Sequence, residues 1–166
     1  MFDCSSEITE FYKKHVRLAK AQVKDLADYR DKNITRLENG LKNNEDLIPL
    51  RHINQGSYAM RTINQHPEND YDIDIGVIFK KDDLIGSQGG DKTALATRKM
   101  VLEAVKDERF TKEPELKKNC VRVFYNEGYH LDMPAYRESV NQYGETAIEL
   151  ASTEWINSDP EAVTKW

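Results

Sequence analysis

The sequence predicts an α+β domain in which a mixed β-sheet packs against a long N-terminal helix and further helices. Three observations predict this class: an apolar stripe with helical spacing over residues 1–45, a strand-like run at residues 71–79, and a hairpin pattern at residues 120–133. The chain has 166 residues and no visible internal repeat. We therefore expect one domain over residues 1–166.

Composition sets limits on partners and compartment. Charged residues make up 32%, hydrophobic residues 39%, and the net charge is -5, so duplex nucleic acid is not an expected partner without a local basic patch. Cys4 and Cys120 are far apart in the sequence and match no zinc spacing, which favours reduced thiols in a cytoplasmic protein. The first residues lack a signal-peptide pattern, and no apolar run reaches about 18 residues, so we expect no membrane partner.

The first 45 residues predict one long helix. Apolar residues recur at steps of three and four from Ile8 to Leu41. Ser5 or Ser6 can cap its start, and Gly40 with the following asparagines can end it. We expect the apolar stripe to pack against a sheet, and the interleaved basic residues to form a solvated face.

Residues 46–136 predict the sheet and one further helix. A short strand at residues 50–53 leads into Gln55-Gly56-Ser57, and a second strand covers residues 71–79. A helix follows at residues 93–105, after a polar loop. Residues 120–125 and 129–133 then form a hairpin around residues 126–128, and Pro134 ends its second strand.

Three aspartates on these strands predict a metal site. Asp72 and Asp74 stand at i and i+2 and so point to the same face of their strand, about 7 Å apart between Cα atoms. Asp132 lies on a later strand, where it could bind a metal and accept a proton from an attacking hydroxyl. Carboxylate oxygens favour Mg²⁺, with Mn²⁺ possible, and paired ions of this kind serve phosphoryl transfer. Gly56 and Ser57 could offer a hydroxyl and backbone N–H groups to a phosphate.

Four segments resemble the bacterial CD-NTases, the cGAS/DncV-like nucleotidyltransferases, whose core is DNA polymerase β-like. The segments are residues 55–62 (QGSYAMRT), 70–77 (DYDIDIGV), 130–136 (HLDMPAY) and 155–160 (WINSDP). The resemblance implies that Asp72, Asp74 and Asp132 ligate two Mg²⁺ ions and that Gly56 and Ser57 hold the triphosphate. It also implies synthesis of a cyclic di- or trinucleotide from nucleoside triphosphates, as the signal of an anti-phage (CBASS) system.

One departure from the family concerns length. Family members are about twice as long and carry a helical C-terminal lobe, whereas this sequence ends at Trp166, and residues 137–166 resemble the start of the segment that leads into that lobe. The chain is then either a truncated form or a naturally short protein. The surface where the lobe would dock could bind a second copy or a partner protein.

Two residues after the Gly-Ser turn are weaker candidates. Tyr58 and Arg61 could contact phosphate or base, or could be structural, and His130 shares the face of Asp132 in a supporting position. Two other functions remain open. The chain could transfer a nucleotide to RNA, protein or a small molecule, or it could be an inactive nucleotide-binding module.

Overall fold

An eight-stranded mixed β-sheet with helices against it organises the chain. The structure is a computed structural model that describes residues 3–65, 71–126 and 128–162. The helices are α1 (Ser5–Phe11), α2 (Lys20–Asn43), α3 (Gly56–Met60) and α4 (Ala94–Val105). The strands are β1 (Arg51–Gln55), β2 (Asp72–Lys80), β3 (Glu115–Leu116), β4 (Val121–Phe124), β5 (His130–Met133), β6 (Ala135–Val140), β7 (Thr146–Ala151) and β8 (Trp155–Ser158). The predicted α+β class is confirmed. Asp70 of the resembling segment and Glu127 of the predicted hairpin turn lie outside the described residues.

Strand β2 is the central strand of the sheet. Strand β1 pairs with it in antiparallel fashion, and β5 and β6 both pair with it in parallel fashion. Asp132 lies opposite Asp74, and Ala135 lies opposite Val77. Strands β5 and β6 therefore pair with β2 in the same register. Pro134 lies between them, and its carbonyl oxygen accepts a hydrogen bond from the N–H of Val77 at 2.9 Å. Pro134 thus ends β5 as predicted, but the chain continues directly as β6.

The two faces of β2 differ as the alternation of its residues predicts. The side chains of one face are almost completely buried: Ile73, Ile75, Val77 and Phe79. On the other face, Asp72 is exposed and Asp74 is half-buried. Burial of four large apolar side chains fixes the orientation of the strand, because a slip of one residue would turn them to the opposite face. The strand therefore presents both aspartates on the same side.

The predicted single N-terminal helix is wrong, because the helical path breaks between α1 and α2. A π-helical turn (Tyr12–Val16) follows α1, and Arg17 and Ala19 are extended before α2 begins. The side chain of Gln65 donates to the carbonyl oxygen of Arg17 at 2.7 Å, and its backbone N–H donates to Val16 at the same distance. Leu18 is buried at the break. Long-range hydrogen bonds and burial thus replace the intrahelical bonds that the apolar spacing predicted.

Helix α2 ends at the predicted asparagines, but Gly40 has a different role from the one predicted. The helix continues through Gly40 to Asn43, with Asn44 as its C-cap residue. A Cβ atom on Gly40 would lie 1.9 Å from the carbonyl oxygen of Ala104, in helix α4. Gly40 is therefore a contact residue that lets two helices approach closely, and not a helix terminator. The apolar stripe of α2 packs against α4 as well as against β2.

We predict that Gly40→Ala destabilises the protein. The added methyl group would overlap backbone atoms of α4, and the required shift should cost more than the helix propensity gained, leaving a net loss of about 2 kcal/mol. Urea denaturation measures this change. Asn39→Ala at the exposed neighbouring position is the matched control, with an expected change below about 0.5 kcal/mol. An unchanged midpoint for Gly40→Ala would contradict the close helix contact.

Residues beyond β5 extend the same sheet. Strand β7 pairs with β6, and β8 pairs with β7, both antiparallel, and the sequence analysis predicted neither strand. Arg137 is buried there, with its guanidinium 2.7 Å from Glu149 and 2.9 Å from Asp91. Residues 137–158 thus complete the sheet. Among the described helices, none is both long and apolar enough to cross a membrane.

Candidate functional site

The three aspartates predicted as metal ligands come together where β2 and β5 run side by side. Asp74 is paired directly with Asp132, and Asp72 is paired with His130. Residues paired in this way share a face of the sheet on strands about 4.8 Å apart. The sequence could place Asp72 beside Asp74, but the parallel register of β2 and β5 is what brings Asp132 to them.

The Gly-Ser turn lies directly against Asp74. Gly56 begins helix α3 with φ at +60°, in the left-handed region. A Cβ atom on Gly56 would lie 2.1 Å from Oδ2 of Asp74, so no larger residue fits without displacing that carboxylate. Ser57 follows as a half-buried residue of the same short helix. The structure thus brings the predicted phosphate-binding turn and the predicted metal ligands into contact.

Asp74 carries an unusual charge environment. Burial raises the pKa of its carboxyl group to about 6, and the negative charges of Asp132 and Asp72 add to the effect. Electrostatic interactions with His130 and Arg122 oppose that increase only in part. A carboxylate that is buried among other carboxylates favours either a proton or a cation at its oxygens.

Asp132 is held by an arginine that the sequence analysis did not identify. Asp132 is 8% exposed, and its two oxygens accept hydrogen bonds from Nε and Nη2 of Arg122, each at 2.7 Å. This forked bond raises the pKa of the Arg122 guanidinium above its usual range. Burial, followed by the charge of Asp132, raises the pKa of the nearby Cys120 thiol to about 12, so this thiol stays protonated. The sequence feature that could have identified Arg122 is the predicted hairpin, because its two strands place residue 122 opposite residue 132.

Two further contacts support the cluster. His130 Nε2 lies 2.8 Å from Oδ1 of Asp72. Gln55 lies opposite Asp74 on the other side of β2, and its side chain donates to the hydroxyl of Tyr136 at 2.9 Å. The ring of Tyr136 covers Gly76, where a Cβ atom would lie 3.1 Å from Cε2. His130 thus contacts a predicted ligand, while Tyr136 fixes the end of β1 that leads into Gly56.

The weaker candidates, Tyr58 and Arg61, lie in a different environment. The Tyr58 hydroxyl is 3.3 Å from Nη1 of Arg30 in helix α2, and the guanidinium carbon of Arg30 is 5.6 Å from the ring centroid of Tyr58. Tyr58 and Arg61 line a separate cavity of about 430 Å³, whose lining includes none of the three aspartates. The structure therefore brings five of the seven predicted site residues together and leaves these two apart.

The donor set of the site suits a divalent cation. Its three carboxylates are the oxygen donors that Mg²⁺ prefers, and burial, followed by the charges of Asp132 and Asp72, raises the pKa of Asp74. Within residues 3–65, 71–126 and 128–162, no three Asp, Glu, His or Cys side chains are already arranged as a metal-binding group. The donor set fits the cation in kind, although Arg122 already occupies one acceptor position on each oxygen of Asp132.

Comparisons with known proteins agree with this architecture. The family model "Cyclic GMP-AMP synthase DncV-like, nucleotidyltransferase domain" matches residues 50–136, just over half of the chain. The matched segment contains β1, the Gly-Ser turn and all three aspartates.

Solved structures show the same fold. CdnG of Bradyrhizobium diazoefficiens, in complex with GTP, is 20% identical with a TM-score of 0.64, over 92% of this chain and 42% of that protein. DncV of Vibrio cholerae in its apo form is 18% identical with a TM-score of 0.66, over 92% and 56%. CdnC of Escherichia coli MS115-1, with ATP, is 18% identical with a TM-score of 0.65, over 96% and 49%. The chain spans about half the length of these proteins. The predicted polymerase β-like nucleotidyltransferase fold is confirmed.

Proposed function

Because the chain belongs to the DncV-like nucleotidyltransferase family, a family of CD-NTases, we propose that it transfers nucleotides from nucleoside triphosphates to make a cyclic di- or trinucleotide. The observation that carries this proposal is the direct pairing of Asp74 with Asp132, with Asp72 on the same face and Gly56 against Asp74. An anti-phage signalling role and a cytoplasmic location belong to the same proposal.

In the proposed reaction, Asp72, Asp74 and Asp132 hold divalent metal, with Mg²⁺ as the ordinary ion and Mn²⁺ as a substitute. Bound ions of this kind neutralise the triphosphate and activate the attacking hydroxyl. Gly56 leaves room for a phosphate close to the backbone, and Ser57 offers its hydroxyl as a donor. Asp132 accepts the proton of the attacking hydroxyl. His130 keeps Asp72 oriented through the 2.8 Å contact.

The substrates are proposed from the site and from the neighbours. CdnG was solved with GTP, and CdnC was solved with ATP. A site with three carboxylates and a glycine turn suits the triphosphate that such nucleotides share. We propose nucleoside triphosphates as substrates. Binding of a second copy or of a partner protein stays a prediction.

A turnover assay tests the proposal. The chain is incubated with labelled ATP and GTP and Mg²⁺, and the products are treated with phosphatase. A phosphatase-resistant product formed without any added acceptor supports a cyclic nucleotide. The Asp72→Ala and Asp74→Ala double variant is the control and should form none. If the unaltered chain makes no such product, cyclic synthesis by residues 1–166 alone is excluded, and the same assay on a full-length version decides the proposal.

The other two functions give different results in the same assay. Transfer to RNA, protein or a small molecule requires that acceptor before label is incorporated. A nucleotide-binding module binds label but shows no turnover, with or without the double substitution. The pairing of Asp132 with Arg122 is the observation that favours such a module, because both oxygens of one proposed ligand are already engaged.

We predict that Arg122→Gln binds Mn²⁺ more tightly than the unaltered chain. Arg122 is a cation that occupies both oxygens of Asp132, so it competes with a metal ion for the same carboxylate. Removal of a charge-assisted pair worth about 1.5 kcal/mol would strengthen metal binding about tenfold. Titration of Mn²⁺ by electron paramagnetic resonance measures the affinity without turnover. Arg109→Gln, at an exposed arginine paired with Asp107, is the control. Equal or weaker Mn²⁺ binding by Arg122→Gln would show that the two cations do not compete.

A further inference from the structure

A cavity of about 430 Å³ lies between the broken N-terminal segment, helix α2 and helix α3. This volume is within the range of small-molecule sites, about 300 to 1,000 Å³. The lining carries three arginines and two tyrosines but no carboxylate, although the chain as a whole has a net charge of -5. Its charged and aromatic residues are Tyr12, Arg17, Arg30, Tyr58 and Arg61. The cavity is therefore a local concentration of positive charge on an acidic protein.

The three arginines differ in whether a carboxylate pairs with them. Arg30 is 22% exposed and pairs with Asp31 at 2.8 Å. The side chains of Arg17 and Arg61 are exposed, and no Asp or Glu in the described part of the chain forms an ion pair with either. Among the described residues, these two positive charges thus lack a counter-ion, which favours an anion at the cavity.

Arg61 also has a strained backbone. It ends helix α3 with φ at 58° and ψ at 33°, in the left-handed region that glycine or asparagine usually occupies. A bulky residue stays in this region at a cost in stability, and such positions occur preferentially at functional sites. The strain makes Arg61 a position where replacement by glycine should not cost stability.

The tyrosines add a second kind of contact. Tyr58 is half-buried and Tyr12 is 47% exposed, so both rings supply aromatic surface within the same cavity. Flat rings stack on tyrosine and on guanidinium planes. The lining therefore suits a ligand that joins negative charge to a flat ring.

We infer that this cavity binds a small aromatic phosphate, such as a nucleotide, without a metal ion. The arginines pair with the phosphate oxygens, and the tyrosines contact the ring. The site shares no lining residue with the three aspartates, so the inference goes beyond the proposed transfer reaction. The nucleotide contacts that the sequence predicted for Tyr58 and Arg61 would be made here.

Isothermal titration of the full chain with ADP in the presence of EDTA tests the inference. Removal of divalent metal excludes metal-dependent binding at the aspartates, and the variants below locate the ADP binding that remains. We expect ADP to bind more tightly than pyrophosphate, and adenosine to bind least. The Asp72→Asn and Asp74→Asn double variant should bind ADP as the unaltered chain does. Loss of binding in that variant would place ADP at the aspartates and overturn the inference.

Substitution of Arg61 by glycine separates binding from folding. Arg61→Gly removes the guanidinium and relieves the left-handed strain, so it should weaken ADP binding at least tenfold while the melting temperature stays equal or rises. Lys99→Gln, which removes one exposed positive charge from helix α4 outside the cavity, should leave ADP affinity unchanged. Absence of metal-free ADP binding at millimolar concentration, or equal affinity in Arg61→Gly, would overturn the inference. Neither result depends on turnover.

Discussion

Asp74→Asn should stop nucleotide transfer and at the same time stabilise the fold. Loss of one proposed metal ligand next to the triphosphate removes several kcal/mol of transition-state stabilisation, which corresponds to at least about a thousandfold loss of turnover. The stability gain follows from the pKa of Asp74, which is raised from 3.8 to about 6 by burial and by the charges of Asp132 and Asp72. Asparagine lacks the negative charge, and burial of that charge destabilises the folded protein.

The sign and pH range of this stability change follow from linkage. Between the unfolded pKa of 3.8 and the folded pKa of about 6, the folded protein binds the Asp74 proton more tightly, so stability falls as pH rises. Above pH 6 the charged side chain costs about 3 kcal/mol, at about 1.4 kcal/mol per pKa unit. We expect Asp74→Asn to be more stable by about this amount at pH 8 and equal below about pH 4.

Urea denaturation at pH 4 and pH 8 measures this difference. Asp82→Asn, at an exposed position in the turn after β2, is the control, with an expected change below about 0.5 kcal/mol. If Asp74→Asn were less stable than the unaltered chain at pH 8, burial and neighbouring carboxylates would not destabilise the charged form of Asp74. If it kept full turnover, Asp74 would not be a ligand in the reaction.

Gly56→Ala should lower turnover about a hundredfold or more. Its methyl carbon would lie 2.1 Å from Oδ2 of Asp74, and the backbone at φ +60° is unfavourable for alanine. The carboxylate must therefore move, and small displacements of a positioned group can cost about a hundredfold in rate. The left-handed backbone adds a stability cost of about 1 kcal/mol.

Gly144→Ala separates the two effects. Gly144 has φ at +81° but open space around it, with no atom within 4 Å of an added Cβ. It should show the same loss of stability, about 1 kcal/mol, with turnover unchanged. Both variants are compared by chemical denaturation and by the labelled-nucleotide assay. Equal turnover in Gly56→Ala and the unaltered chain would show that contact between the turn and Asp74 is not needed.

Much of the candidate site follows from local sequence features. Alternation along β2 predicted that Asp72 and Asp74 share a face, since burial of the opposite face sets strand orientation. The hairpin of β4 and β5 was predicted as well, but its register and the pairing of Arg122 with Asp132 were not, and both come from the structure. The metal-binding roles of the three aspartates stay a prediction.

Other features could not be predicted because they depend on contacts between distant segments. The apolar spacing of the N-terminal residues is compatible with one continuous helix. A hydrogen bond from the side chain of Gln65, which is distant in sequence, to the carbonyl oxygen of Arg17 stabilises the break between α1 and α2. From the sequence, Gly40 resembles a helix terminator. The structure shows instead a close helix contact, because a Cβ atom at Gly40 would lie 1.9 Å from a backbone oxygen of α4. Strands β7 and β8 are weakly patterned; β7 forms by pairing with β6, and β8 forms by pairing with β7.

The sequence by itself predicted the fold class from local periodicity, and its resemblance to the CD-NTases identified the family. It also marked the Gly-Ser turn and the three aspartates as candidate site residues, whose phosphate-binding and metal-binding roles stay predictions. Tertiary structure decided that Asp132 stands beside Asp74, that Arg122 holds Asp132, and that Tyr58 and Arg61 lie in a separate cavity. The parallel register of β2 and β5 and the break before α2 decide these positions. Both arise from packing and hydrogen bonds between residues that are far apart in the chain.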